Sequence, residues 1–273
     1  MDALLKASAY LGALLLLGAG LYRFALRPGA PERSLRALAL LGAALLVLGS
    51  LGDLVWTLVR LTGRFDAGLT LEYAATTRHG RWVLARVALA GALVGLLRVS
   101  RPWPFGLAGA GVLLSFSALS HGAVMHGPPA LVADLGHLAA AMLWGGAVLF
   151  AALGWRGLGE ARLGVLGRVS RIGLWSVLLL VATGVYASAL HIERPEVLVT
   201  TRYGWSLLGK VALVGLTLAL AALNRWHFLP RLRRGNSATL THRFGAVLLA
   251  EAGLLLAIFA VTGVLTTSPL PHD

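Results

Sequence analysis

Residues 129–154 read PALVADLGHLAAAMLWGGAVLFAALG. This stretch contains one acidic residue, Asp134, one histidine, His137, and no lysine or arginine. Its apolar residues run on without the alternation of apolar and polar residues that marks a strand of a membrane barrel. A hydrocarbon core about 30 Å thick needs about 20 apolar residues per helical span. The stretch is therefore predicted to cross a membrane as a single helix.

The composition of the whole chain has the same character. Of its 273 residues, 58% are hydrophobic and 13% are charged, and the mean hydropathy is +0.79. Soluble domains carry about 25% charged residues. The hydrophobic residues are numerous enough for roughly seven or eight spans. This composition excludes a soluble enzyme, a disordered chain and a disulfide-bonded secreted domain. We therefore predict an all-α fold, a polytopic membrane helical bundle.

Eight apolar stretches mark the predicted transmembrane helices. They lie at about 4–26, 35–60, 81–98, 103–121, 129–154, 170–190, 205–224 and 244–267. Each is long enough to span the hydrocarbon core, although the third and the fourth are barely so. The sequence therefore predicts eight spans.

The loops between these stretches alternate in charge. Those after the first, third, fifth and seventh stretches carry most of the arginines: Arg23, Arg27, Arg33, Arg36, Arg98, Arg101, Arg156, Arg162, Arg168, Arg171, Arg225, Arg231, Arg233, Arg234 and Arg243. Because lysine and arginine collect in cytoplasmic loops, both termini are predicted to lie outside. The formal net charge of +13 is then an orientation signal in a lipid bilayer, and we expect no nucleic-acid partner.

An internal repeat relates the third and seventh stretches. The sequences TTRHGRWVLARVALAGALVGL at 76–96 and TTRYGWSLLGKVALVGLTLAL at 200–220 share ten of 21 aligned residues at an offset of 124. The repeat predicts two four-helix halves of the same orientation, an N-terminal half at 1–127 and a C-terminal half at 128–273.

Each copy of the repeat carries a glycine and a basic residue near its start. These are Gly80 and Arg86 in the first copy and Gly204 and Lys210 in the second. One interpretation is that the basic side chains anchor their helices at the membrane interface by snorkelling. The other is that they form a paired structural element beside a site between the halves.

A cluster of potential metal ligands lies where the fourth stretch ends and the fifth begins. The sequence SHGAVMHG at 120–127 carries His121, Met125 and His126. Because the connection is short, the two helices are expected to be neighbours, and these side chains could converge with His137 on one outward-facing pocket. Imidazole and thioether donors in a chain without cysteine suit copper, especially Cu(I). The alternative is that the loop histidines are only solvated.

His137 lies deeper than these residues, about two turns into its helix and roughly 12 Å along it by the helical rise. An imidazole at this depth needs a partner, a metal ion or water. Asp134 lies one turn away on the same face, so it could orient His137 or form part of an entry path. The alternative is that His137 hydrogen-bonds to a neighbouring carbonyl group.

Two further acidic residues fall inside predicted spans. Asp53 lies in the outer half of the second span, and Glu251 lies toward the inner end of the eighth, where it could pair with Arg243 or with a basic group of another helix. Carboxylates within membrane helices are candidates for a functional role. Both are therefore expected either to line a transport path or to be buried, paired structural groups.

Motifs along the second half of the chain resemble one family when they are taken in order. They are DLGHLAAAMLWGGAVL at 134–149, RVSRIGLWSVLLLVATGV at 168–185, TTRYGWSLLGKVAL at 200–213, ALNRWHFLPRL at 222–232 and AEAGLLLAIFAVTGVLTTSPLP at 250–271. In this order the chain resembles the copper resistance protein D (CopD) family of bacterial inner-membrane proteins over about residues 106–271. The first four stretches are similar only in architecture and hydropathy.

The resemblance implies a function for the chain. Members of this family are implied to move copper across the inner membrane, usually by uptake from the periplasm to the cytoplasm, beside a periplasmic copper carrier of the CopC type. By resemblance, His121 and His137 fall where the family carries histidines in its fourth and fifth helices, and Glu251 matches the acidic residue of the final helix. The expected cargo is a copper ion.

Two other functions stay open at this point. Histidines on facing helices could clamp a haem b, which would make the protein a membrane electron carrier. The protein could also hand copper to an oxidase as an assembly factor. The sequence contains no phosphate loop, nucleophile elbow or zinc-protease motif, so we expect no enzymatic activity.

Overall fold

The computed structural model describes residues 1–27, 32–191, 196–235 and 238–265. Within these ranges the regular elements are all helices and no strand occurs. This confirms the prediction of an all-α fold. The tail that carries His272 lies outside the described residues, and so do the side chains of His121 and His191.

Twelve α-helices follow one another in the described part of the chain. They are α1 (Asp2–Leu21), α2 (Glu32–Thr62), α3 (Ala67–Thr76), α4 (Arg78–Leu96), α5 (Pro102–Ser117), α6 (His121–His126), α7 (Pro128–Leu153), α8 (Arg162–His191), α9 (Val197–Thr200), α10 (Arg202–Leu223), α11 (Leu229–Arg234) and α12 (Ala238–Leu265). Two π-helical turns, Tyr22–Leu26 and Asn224–Phe228, continue α1 and α10.

Six of the described helical segments are long and apolar enough to cross a membrane. They are Asp2–Leu26, Arg33–Thr62, Pro128–Leu153, Gly159–Leu190, Gly204–Arg234 and Ala238–Gly263. The chain is therefore a multi-pass helical membrane protein.

The third and fourth predicted spans correspond to α4 and α5, which are not among these six segments. Helix α5 has 16 residues, which is about 24 Å at the helical rise and shorter than the hydrocarbon core. Helix α4 carries Arg78, Arg81 and Arg86 in its first half, and these residues lower its mean hydropathy. The number of eight spans stays a prediction.

A short helix lies in the segment that the sequence analysis treated as a loop between the second and third spans. Helix α3 begins after Asp66, whose Oδ1 accepts a hydrogen bond from the backbone N–H of Leu69 at 3.0 Å. An aspartate at this position satisfies one of the N–H groups that the first turn leaves free.

The two copies of the repeat begin their helices in the same way. Thr77 Oγ1 accepts from the backbone N–H of Gly80 at 3.0 Å, and Thr201 Oγ1 accepts from that of Gly204 at 3.0 Å. The second threonine of each TTR sequence is therefore the N-cap of α4 or α10.

Helix α1 lies at the centre of the packing. It contacts α2, α7 and α12, and its residues Ala13, Leu14 and Leu16 are fully buried. Through these contacts α1 joins helices of both predicted halves.

Candidate functional site

His137 is held in one orientation by a threonine of the neighbouring helix. Its Nδ1 lies 2.9 Å from Thr183 Oγ1, across the packed pair α7 and α8. The Thr183 hydroxyl donates its proton to the carbonyl oxygen of Leu179 at 2.7 Å. Because that proton is used, Thr183 accepts from an N–H on Nδ1. The lone pair of the neutral imidazole is therefore on Nε2, the atom free to bind a metal ion.

Lys210 of α10 interacts electrostatically with both His137 and Asp134. The Asp134 carboxylate therefore offsets part of the charge that the Lys210 ammonium exerts on the histidine. Thr183, which the sequence analysis did not single out, is the group that orients the ring.

The other predicted donors lie on α6, which packs against α7. Met125 is exposed, with 73% of its surface accessible, and His126 is exposed at the end of the helix. His121 begins α6, but its side chain is not described. Gly127 joins the two helices with φ at 73°, a conformation that glycine adopts without strain.

The described residues contain no group of three or more histidine, cysteine, aspartate and glutamate side chains close enough to hold a metal ion. His137 is partly buried and has its own partner, whereas Met125 and His126 are exposed. The proposed convergence of these donors on one pocket stays a prediction.

A chain of three polar side chains links α2, α3 and α4. His79 Nε2 lies 3.6 Å from Asp53 Oδ2, and His79 Nδ1 lies 3.1 Å from the hydroxyl of Tyr73. Burial raises the pKa of Tyr73, and the nearby Asp53 carboxylate adds to this effect. The Tyr73 hydroxyl therefore keeps its proton at neutral pH. Asp53 was predicted as a functional residue from the sequence, whereas Tyr73 and His79 were not.

Arg86 is buried inside the bundle, with 5% of its surface accessible. Its guanidinium donates to Ser115 Oγ and to the Ser115 carbonyl oxygen at 2.8 Å each, and to Ser50 Oγ at 3.3 Å. The guanidinium also lies 3.7 Å from the centre of the Phe116 ring. The interpretation of Arg86 as a snorkelling anchor is therefore wrong, because neighbouring helices supply its partners within the packed core.

Glu251 of α12 lies in a second buried polar group, together with Asn224 of the π-helical turn that follows α10. The side-chain amide of Asn224 donates to Glu251 Oε2 at 2.6 Å, and Trp144 lines the same cavity as this carboxyl group. Asn224 opens the π-helical turn, a feature frequent at functional sites. The partner of Glu251 is thus an amide rather than Arg243.

A cavity of about 300 Å³ adjoins this group. Its walls are mostly apolar, and Arg225 stands at its edge, where it donates to the hydroxyl and carbonyl oxygens of Ser170 at 2.6 and 3.1 Å. The Oδ1 atom of Asn224 has no hydrogen-bond partner among the described residues. Neither the cavity nor these partners could be predicted from hydropathy, because they come from five α-helices and the π-helical turn.

Comparison with known proteins gives one match. Neither the curated proteins nor the solved structures contain a significant match to the chain. Residues 163–265 match the family model described as Copper resistance protein D. This range includes Thr183, Lys210, Asn224 and Glu251, and it ends before the undescribed tail. Residues 163–265 are therefore similar to the copper resistance protein D family, and this match supports a membrane function related to copper resistance or transport.

Proposed function

We propose that the protein moves copper across the bacterial inner membrane, from the periplasm to the cytoplasm. The observation that carries the proposal is the state of His137. Its ring is fixed through Thr183, its Nε2 lone pair is free, and it lies inside a predicted span of a chain that is similar to a copper-related family. An oriented neutral imidazole is a common ligand of transition metals.

Entry of the ion would take place at α6. Met125 and His126 are exposed just before α7 begins, and His121 lies at the start of the same short helix. Thioether and imidazole donors favour Cu(I) over hard cations. Both termini would lie in the periplasm, where a carrier of the CopC type could deliver the ion to these residues.

Asp134 would contribute by charge rather than by direct coordination. It interacts with Lys210 next to His137, so it lowers the electrostatic cost of bringing a cation close to that lysine. Asp53 and Glu251 each have a partner in the structure. A place for either of them on the copper path stays a prediction.

Replacement of His137 tests this function. In proteoliposomes loaded with a Cu(I) chelator, His137→Ala is expected to slow Cu(I) uptake at least tenfold, because the oriented Nε2 ligand is lost. His242→Ala, an exposed histidine at the start of α12, is the matched control and should leave uptake unchanged. Equal uptake by both variants would contradict the proposal. A Soret band in the purified protein would instead favour the haem carrier.

The orientation of His137 can be tested separately. Thr183→Val removes the acceptor for Nδ1–H while it keeps the size of the side chain, so we expect Cu(I) affinity to fall about tenfold. Thr217→Val is the control, because the Thr217 hydroxyl only donates to the Leu213 carbonyl oxygen within α10. Competition with a chromophoric Cu(I) chelator measures both affinities. An unchanged affinity in Thr183→Val would show that the ring orientation does not matter.

A further inference from the structure

We propose that Asp53 and His79 form a binding site for a divalent transition-metal ion, where α2, α3 and α4 meet. The site is in the predicted N-terminal half, on different helices from His137 and Met125. It goes beyond the copper transport proposed above, because it would bind a divalent ion whether or not the protein transports Cu(I).

The spacing of the two donor atoms fits a shared ion. His79 Nε2 and Asp53 Oδ2 are 3.6 Å apart, which is longer than an ordinary hydrogen bond between nitrogen and oxygen. A metal ion binds imidazole nitrogen and carboxylate oxygen at about 2.0–2.2 Å, so two donors on one ion stand about 3–3.6 Å apart at bond angles of about 90–120°. The observed separation lies at the upper end of this range.

Tyr73 orients the imidazole from its other side. The Tyr73 hydroxyl is 3.1 Å from His79 Nδ1, and a hydroxyl can either donate to or accept from that nitrogen. When a metal ion takes the Nε2 lone pair, Nδ1 carries the proton and donates it to Tyr73. Metal-bound histidines commonly have such a partner on their second nitrogen.

The backbone around Tyr73 is tightly placed against α4. The Thr77 hydroxyl donates to the Tyr73 carbonyl oxygen at 2.7 Å. A Cβ atom on Gly80 would lie only 2.5 Å from the same oxygen, so the two helices are in close backbone contact at this point. This contact fixes the backbone at Tyr73 relative to α4, which carries His79, before any ion binds, and this lowers the ordering cost of binding.

The donor set and its access indicate which ion binds. The side chains of Asp53 and His79 are 18% and 23% exposed, so an ion can reach them and keep water molecules as its remaining ligands. One carboxylate oxygen and one imidazole nitrogen suit Cu(II) or Zn(II), and among divalent ions of this row Cu(II) binds most strongly. Because the site lacks a thioether, it differs in metal preference from Met125.

Electron paramagnetic resonance of the purified full-length protein with one equivalent of Cu(II) tests the proposal. We expect a tetragonal Cu(II) signal with coupling to one nitrogen. His79→Ala and Asp53→Asn should each weaken Cu(II) binding at least tenfold, and Zn(II) should compete for the same site. His242→Ala is the control for binding to an exposed histidine, and His137→Ala separates this site from the one proposed for Cu(I). Both controls should keep the signal.

A positioning role for Tyr73 gives a second measurement. Tyr73→Phe keeps the ring but removes the partner of Nδ1, so we expect Cu(II) affinity to fall about tenfold while the coupling to one nitrogen is retained. If His79→Ala does not fold, Asp53→Asn still measures the loss of Cu(II) binding, because asparagine has the same size and shape as aspartate. Absence of a bound Cu(II) signal in the unaltered protein, or unchanged affinity in both His79→Ala and Asp53→Asn, would overturn the proposal.

Discussion

Gly12→Ala is expected to lower the free energy of unfolding by about 3 kcal/mol, at the upper end of the usual cost of overpacking a core. The reason is the contact between α1 and α2. A Cβ atom on Gly12 would lie 2.6 Å from the carbonyl oxygen of Gly42 and 2.7 Å from Leu46 Cα. These are backbone atoms of α2, so they cannot move aside as a flexible side chain would.

The clash would spread along the whole helix pair. A Cβ atom on Gly42 would lie 2.7 Å from the backbone nitrogen of Leu16, and one on Gly49 would lie 2.6 Å from that of Ala9. Small residues let membrane helices approach closely and supply their packing energy. Alanine at Gly12 therefore forces α1 and α2 apart at all three contacts, and α1 also contacts α7 and α12.

Gly91→Ala is the matched control for this prediction. Gly91 lies in α4, and a Cβ atom there would meet no atom within 4 Å. The change should be neutral or slightly stabilising, because alanine favours a helix over glycine by about 1 kcal/mol. Unfolding by sodium dodecyl sulfate in mixed micelles, followed by circular dichroism, measures both variants. Similar stability of Gly12→Ala and Gly91→Ala would show that the close approach of α1 and α2 does not support the fold.

The fold was predictable where the signal is local. Apolar runs identify the long helices, and the repeat pairs α4 with α10, although the predicted starts at about 81 and 205 miss the first turn of each helix after Thr77 and Thr201. Helix α3 was missed because its ten residues lie between two spans. Asp66 was the available signal, since an aspartate often caps a helix, but it does not show that a helix follows.

Single residues of the candidate site could be predicted from the sequence, but their partners could not. His137 stands out because imidazole is rare inside an apolar stretch. Its partner Thr183 is 46 residues away on α8, and hydropathy does not show which faces of two helices meet. The same holds for Glu251 and Asn224, which are 27 residues apart on α12 and the π-helical turn after α10. Such pairs follow from helix packing, and a sequence without structure does not determine that packing.

Arg86→Ala is expected to lower the free energy of unfolding by about 3 kcal/mol, at the upper end of the cost of leaving a buried acceptor without its donor. Arg86 donates three hydrogen bonds to Ser50 and Ser115, and its guanidinium packs on the face of Phe116. Alanine would leave these oxygen atoms without their donor in the core and would open a cavity above the ring.

One of these hydrogen bonds supports the end of a helix. The carbonyl oxygen of Ser115 belongs to the last turn of α5, which ends at Ser117, where carbonyl groups lack donors from their own helix. Arg86 of α4 donates to this oxygen, and Arg78, which is also on α4, donates to the carbonyl oxygen of Ala118 at 2.9 Å. Positive charge near the carboxyl end of a helix is favourable. Arg86→Ala should therefore also loosen the end of α5, seen as faster amide hydrogen exchange just after Ser117.

Two further variants separate charge and hydrogen bonding from volume. Arg86→Met keeps most of the apolar stem, so a stability close to that of the unaltered protein would show that Arg86 contributes mainly by packing. A loss as large as that of Arg86→Ala would assign the stabilisation to the hydrogen bonds. Arg81→Ala, at an exposed position of the same helix, should change stability by less than about 0.5 kcal/mol. If Arg81→Ala lowers the free energy of unfolding as much as Arg86→Ala does, the loss of stability comes from removing positive charge from α4, and the burial of Arg86 is not its cause.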